Sequence, residues 1–356
     1  MESRALELLK KLVNTPGPSG FEEQARRVWV EAVRPYCDQH LTDVHGTEIA
    51  TLRGKSQRTA IMLLGHIDQL GLIVRYIDEK GFLYFAPIGG VDVDTVISQP
   101  VRVMGPKGTI PGIVGKIAFH LQDPEDRKKK LQLHELWIDI GATSREEAQE
   151  YAPIGTPVAV GEGVTELLNG RIAGRIDNRF GAFVVAEVLR RLHGRREELF
   201  PTVHAVASVQ EETSGRFTGA STAGYRLMPS AAIAVDVNHS MDIPGADKRR
   251  AGDAAMGKGA ILTVGVSSSN KLAAAIRKAA EQAGMSIQLE YENGRHGTDA
   301  DAMPVTRTGI PSVSLGNALR YMHNTVEMAD LGDIEAVVDV LEAFLLSISQ
   351  DVDYTA

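Results

Sequence analysis

The run from Arg58 to Gly65, Arg-Thr-Ala-Ile-Met-Leu-Leu-Gly, has the length of one strand and lacks the polar alternation of a strand with one wet face. Such a segment is buried on both faces, as a central strand is when helices cover both sides of its sheet. It delivers His66-Ile67-Asp68 at its end, where open α/β sheets carry their chemistry. A second apolar run, Thr202 to Val209, leads into Gln210-Glu211-Glu212-Thr213. Neighbouring side chains of a strand face opposite ways. Two functional glutamates side by side therefore imply that the strand has ended and a loop aims both into one cleft. Taken alone, the pair reads as a solvated turn.

The chain has 356 residues, and a prior of roughly 150 per domain gives about two domains. From about Leu70 to Thr165 it breaks into short Val/Ile-rich runs: Leu72 to Ile77, Phe82 to Ile88, Val101 to Met104, Thr109 to Ile117, Leu136 to Ile140 and Pro157 to Val160. That spacing predicts a small β-rich domain. Alternating strands and helices return after Gly174, with helical stripes over Val185, Val188, Leu189 and Leu192 and over Ile334, Val337, Val338, Leu341 and Leu345. The β-rich block, residues 70–165, thus reads as an insertion into one α/β domain formed by residues 1–69 and 166–356. It contributes nothing evident to the candidate site.

A net charge of -8 argues against a nucleic-acid or anionic-membrane surface, both of which need concentrated Lys and Arg. A lone cysteine, Cys37, excludes an intrachain disulfide and fits a reducing compartment, so the cytoplasm is the expected location. The N-terminus shows no signal-peptide pattern, and no window reaches the roughly 18 apolar residues of a membrane span.

Strand ends supply His66 with Asp68, Asp177, Glu211 with Glu212, Asp236, and His323. Zn²⁺ and Co²⁺ prefer imidazole nitrogen and carboxylate oxygen, and two such ions about 3.5 to 4 Å apart need a shared carboxylate to offset their repulsion. His66 and Asp68 are two apart and point to one side, where Asp68 can orient the imidazole. Asp177 precedes a strong helix and reads equally as its N-cap. Asp236 ends an apolar strand, where a carboxylate needs a cation.

Read in order, Pro16-Gly17-Pro18-Ser19-Gly20-Phe21-Glu22, Gly65-His66-Ile67-Asp68-Gln69-Leu70-Gly71, Gly174-Arg175-Ile176-Asp177-Asn178-Arg179, Gln210-Glu211-Glu212, Val235-Asp236-Val237, Gly297-Thr298-Asp299-Ala300 and Arg320-Tyr321-Met322-His323 resemble the M42 family of dinuclear metallo-aminopeptidases. The resemblance spans nearly the whole chain. It implies a mixed sheet flanked by helices, with the β-rich insertion as dimerisation domain and dimers assembled into a tetrahedral dodecamer. Asp177 would bridge two divalent ions (Zn²⁺, Co²⁺ or Mn²⁺), His66 and Asp236 completing one site and Glu212 and His323 the other. Glu211 would act as general base on a water bridging the ions, with Asp68 supporting catalysis, in removing the N-terminal residue from short peptides. One departure is the long path from Glu211 to Ala220. The implied metal role of Glu212 is unaffected, but no substrate contact is carried over from this loop. His239, His296 and Asp299 read as lining the cleft or, in preference, as structural support. Two other functions fit part of the pattern. A glycoside hydrolase would use the paired carboxylates, but 5% aromatic residues leave few platforms for sugars. A non-catalytic metal-binding assembly protein has no need of Glu211.

Overall fold

The computed structural model describes all residues but 162 and 214–216, and all their side chains but that of Asp126. Strands β1 (Gln39–Thr42), β2 (Glu48–Leu52) and β3 (Ala60–His66) come first. Six more then close into a barrel: β4 (Gly71–Ile77), β5 (Leu83–Ile88), β6 (Pro100–Gly105), β7 (Gly108–Gly115), β8 (Trp137–Asp139) and β9 (Pro157–Val160). The rest of the chain supplies β10 (Thr165–Glu166), β11 (Arg171–Gly174), β12 (Thr202–Ser208), β13 (Ala231–His239), β14 (Ile261–Gly265), β15 (Gln288–Glu292), β16 (Ser312–Leu319) and β17 (Glu327–Asp330). The eight-stranded main sheet runs β1-β2-β12-β3-β13-β16-β14-β15. Its centre, from β12 to β16, is parallel, while β1, β2 and β14 pair antiparallel with their inner neighbours, so the sheet is mixed. No helix among the described residues is long and apolar enough to cross a membrane.

The absence of alternation in β3 has the expected consequence. Ile61 and Leu63 join the large core under the helix Arg179–Gly194, while Met62 and Leu64 pack on the other face with Ala220 and Met303. The barrel keeps its own core of residues such as Leu72, Phe85, Val103 and Ile138.

What places the site is the parting of two strands. β3 follows β12 as far as His66 opposite Ser208, but pairs with β13 only to Leu64 opposite Ala234. β13 continues alongside β16 to His239 opposite Leu319. Strands that diverge at their carboxyl ends leave a crevice between them. The helix Arg179–Gly194 starts on that crevice at van der Waals contact. A Cβ on Gly65 would lie 2.2 Å from the Gly181 carbonyl carbon, so only glycine permits the approach.

Two features are poorly marked in the apolar pattern. β13 and β16 run past Val235 and Leu315, because Asp236 and Asn238 in the first and Gly316 and Asn317 in the second interrupt the apolar pattern without interrupting backbone pairing. The hairpin of β1 and β2 has only a short apolar stretch, Ile49 to Leu52, broken by Thr51. Its buried Glu48 is satisfied by Arg26 at 2.9 Å and by the Thr42 hydroxyl at 2.6 Å.

Candidate metal centre

Each sequence-predicted ligand reaches the crevice from a different element. His66 ends β3 and is buried, Asp236 lies within β13, and Asp177 precedes the helix Arg179–Gly194. That helix is capped by Asn178, whose side-chain oxygen accepts the Gly181 N–H at 2.8 Å, so Asp177 is free of the capping role. The backbone turns left-handed at Gln210 (φ 58°), which ends the β12 path and lets Glu211 and Glu212 face the crevice together. His323 sits in a second left-handed turn (φ 63°) and is half-exposed.

The ligand atoms converge without closing on one another. His66 Nε2 stands 3.4 Å from Asp177 Oδ1, 3.6 Å from Glu211 Oε2 and 3.7 Å from Asp236 Oδ1. The other oxygen of Asp177, Oδ2, is 3.5 Å from His323 Nε2, which is 3.7 Å from Glu212 Oε2. Most of these gaps are too wide for good hydrogen bonds. They match two donors on one tetrahedral ion, which at about 2.0 to 2.1 Å each stand about 3.3 to 3.4 Å apart. Two overlapping donor groups, His66/Asp177/Glu212 and His66/Glu211/Asp236, lie within 4.8 Å. Glu212 Oε1 is buried and has no hydrogen-bond partner among the described residues. A polar atom left so at a cost of about 1–3 kcal/mol is a second sign that the donors fit a cation.

The electrostatics agree. Burial, then the neighbouring carboxylates, push Glu211 and Glu212 well above the usual carboxylate range, and Asp236 to about 8. Burial alone would lower His66, yet Glu211 and Asp236 outweigh it and hold the imidazolium well above its ordinary value. Without a cation the cluster retains protons to limit its negative charge.

Two further carboxylates hold the backbone of this cluster. Asp68, fully buried, accepts the N–H of Glu211 on one oxygen and that of Glu212 on the other, both at 3.1 Å. It also takes the Ser19 hydroxyl and lies 3.5 Å from His66 Nδ1. Its role is therefore wider than orienting the imidazole. Glu327 does the same opposite: one oxygen accepts the N–H of Ile176 (2.7 Å) and Asp177 (2.9 Å), the other that of His323 (3.1 Å). Sequence reasoning missed Glu327, although a carboxylate four residues after His323 in a turn was a usable signal. Asp299 is buried and takes the Ser208 hydroxyl behind the site, while His239 and His296 line it.

An open cleft of about 700 Å³ lies over Glu211, Glu212 and His323. Ile73 and residues 87–90 of the barrel line it, so the insertion does reach the site, contrary to the sequence expectation. Within the loop from Glu211 to Ala220, residues 214–216 lie outside the described residues. A recess of about 290 Å³ leads from His66, Asp177 and Asp236 along the sheet to Thr263 and Glu290.

Residues 46–340 match the family model of the M42 glutamyl aminopeptidases. The lysyl aminopeptidase of Pyrococcus furiosus is 34% identical over 343 residues, covering 95% of this chain and 96% of its own. The solved structure of a TET aminopeptidase from a marine-sediment Thaumarchaeota archaeon matches with a TM-score of 0.90 at 32% identity, over 96% of this chain and 97% of that one. The TET1 peptidase of Pyrococcus horikoshii, which can assemble into a tetrahedron or a large octahedral shell, matches at 0.85 with 28% identity, over 97% and 100%.

Proposed function

The chain belongs to the M42 family of metal-dependent aminopeptidases, and on that premise we propose that it removes N-terminal residues from short peptides with two divalent cations per subunit. The observation that carries the number two is Asp177, whose oxygens face different imidazoles, His66 at 3.4 Å and His323 at 3.5 Å. His66 and Asp236 complete one site, Glu212 and His323 the other. The donors are nitrogen and oxygen only, which suits Zn²⁺, Co²⁺ or Mn²⁺. Divalent cations held there supply Lewis acidity toward the scissile carbonyl and toward water.

Glu211 is the proton carrier. Its carboxylate faces the cluster, 3.6 Å from His66 Nε2, where it can reach a water beside the cations. It takes the proton of the attacking water and returns it to the leaving amine. Asp68, a positioning residue, fixes the Glu211 backbone during both transfers. Carboxylate-rich ground favours a free α-amine at the substrate's end. A peptide offered free and acetylated, followed by mass spectrometry, is therefore expected to lose its first residue only when free. Equal internal cleavage of both forms would make the enzyme an endopeptidase.

The barrel, residues 70–165, is proposed as the dimerisation domain, with dimers building a dodecamer; the assembling TET1 relative supports this. Replacing residues 72–156 by a short Gly/Ser linker is expected to give smaller particles in light scattering. Persistence of the full assembly would remove the role. The one cysteine, Cys37, suits the reducing cytoplasm as the enzyme's location. The names of the family model and of the Pyrococcus furiosus relative point to different N-terminal residues, glutamyl and lysyl, so preference has to be argued from this chain's own cleft.

A further inference from the structure

We propose, building on the aminopeptidase reading, that the recess beside the metal centre receives the first side chain of the substrate, and that Glu290 makes it select a cationic one, lysine or arginine. The recess is built on one face of the sheet. Ala234, Ser314, Thr263 and Glu290 are in register across β13, β16, β14 and β15, so their side chains share a face with Asp236 and Asn238, two and four residues along β13. Asn238 Nδ2 donates to the Glu290 carboxylate, which holds that carboxylate over the sheet rather than out in solvent. Asn238 stands about 6.5–7 Å along the strand from Asp236. That is the reach of an extended four-carbon side chain whose α-carbon sits at the metal centre.

Among the described residues that line the recess, one carboxylate outside the metal cluster has neither a cation nor a backbone N–H to hold it. The carboxylate of Glu292 is taken up by backbone N–H groups of Ser267, Ser268 and Gly294. Arg295 also lines the recess, but it is largely exposed and lies 3.5 Å from Asp301. His239 and His296 are shifted by burial toward the neutral form. No lysine or arginine among the described residues pairs with Glu290, and burial raises its pKa, the signature of a carboxylate short of a cation. Beside it, Asn238 Oδ1 is buried without a partner among the described residues, and Thr263 Oγ1 lies 3.4 Å from Asn238 Nδ2. An ammonium carries three donors and no acceptor, a guanidinium five. A carboxylate with two neutral oxygens suits either and repels an acidic side chain, while a leucyl side chain brings no donor to any of the three.

The test uses the assembled, metal-loaded enzyme and four aminoacyl p-nitroanilides: lysyl, arginyl, leucyl and glutamyl. In the wild type, kcat/KM is expected to be highest for lysyl or arginyl and lowest for glutamyl. Lysyl against arginyl separates ammonium from guanidinium recognition. Glu290→Gln is expected to lower the lysyl-to-leucyl ratio of kcat/KM about 10²-fold, as for loss of a charge-assisted contact. Glu290→Lys is expected to raise the glutamyl-to-lysyl ratio above that of the wild type. Because both readouts are ratios within one preparation, partial misfolding does not mimic them. Wild-type preference for glutamyl, or a lysyl-to-leucyl ratio unmoved by Glu290→Gln, would overturn the selectivity and leave the aminopeptidase intact. Wild-type inertness toward all four would overturn the aminopeptidase reading itself, and this one with it.

Discussion

Glu211→Gln is expected to lower turnover by about 10² to 10⁴, the usual contribution of a positioned general base, while metal content stays at the wild-type level. The amide keeps the shape of the side chain, and the Glu211 N–H remains held by Asp68, so the loop has no reason to move. What is lost is the capacity to accept a proton. Glu212→Gln is expected to differ, because an amide is a poorer ligand than a carboxylate for a divalent ion. That variant should lose metal from the site proposed for it and for His323, 3.7 Å away. Measuring metal stoichiometry beside kcat for both variants separates base from ligand within one dipeptide. Wild-type turnover in Glu211→Gln would sink the assignment, as would metal loss there with none in Glu212→Gln.

The distinction also marks how much could be read from the chain alone. Continuous apolar runs announce buried strands, so β3 and its His66, and β12 with the glutamates beyond it, were legible from hydrophobic pattern. Asp236 was legible for the opposite reason, as a charge where the pattern forbids one. The ambiguity at Asp177 came from local chemistry: Asp and Asn are both good caps, and only the three-dimensional start of the helix shows that Asn178 serves. Glu327 had only its place four residues after His323 to signal it, because its bonds to the N–H groups of Ile176 and Asp177, about 150 positions away, are a pairing that no periodicity encodes. The approach of residues 87–90 to the cleft was hidden likewise, since it depends on how the barrel is set against the sheet. Pattern reports burial, whereas convergence of distant segments is a property of topology.

Removal of the metals is expected to abolish hydrolysis, with recovery on adding back Zn²⁺, Co²⁺ or Mn²⁺, and its pH dependence follows from the same cluster. Asp236 in the metal-free fold has its pKa raised from 3.8 to about 8, by burial first and then by Asp177; Glu211 and Glu212 are raised too. A carboxyl with a raised folded pKa contributes stability that is present below its unfolded pKa and lost as pH rises through the folded one. The metal-free protein should therefore lose thermal stability as pH climbs from about 4 toward 8. His66 is raised as well, so it still holds a proton that a metal must displace. Binding by carboxylate and neutral imidazole releases those protons, so apparent metal affinity should rise over the same interval, and calorimetry in buffers of different ionisation enthalpy should register the release. With the cations bound the carboxylates are ionised and compensated, and the metal-loaded enzyme should show no such fall. A metal-free melting temperature that rises between pH 4 and 8, or binding without proton release, would mean that these carboxylates are not the ones that meet the metal.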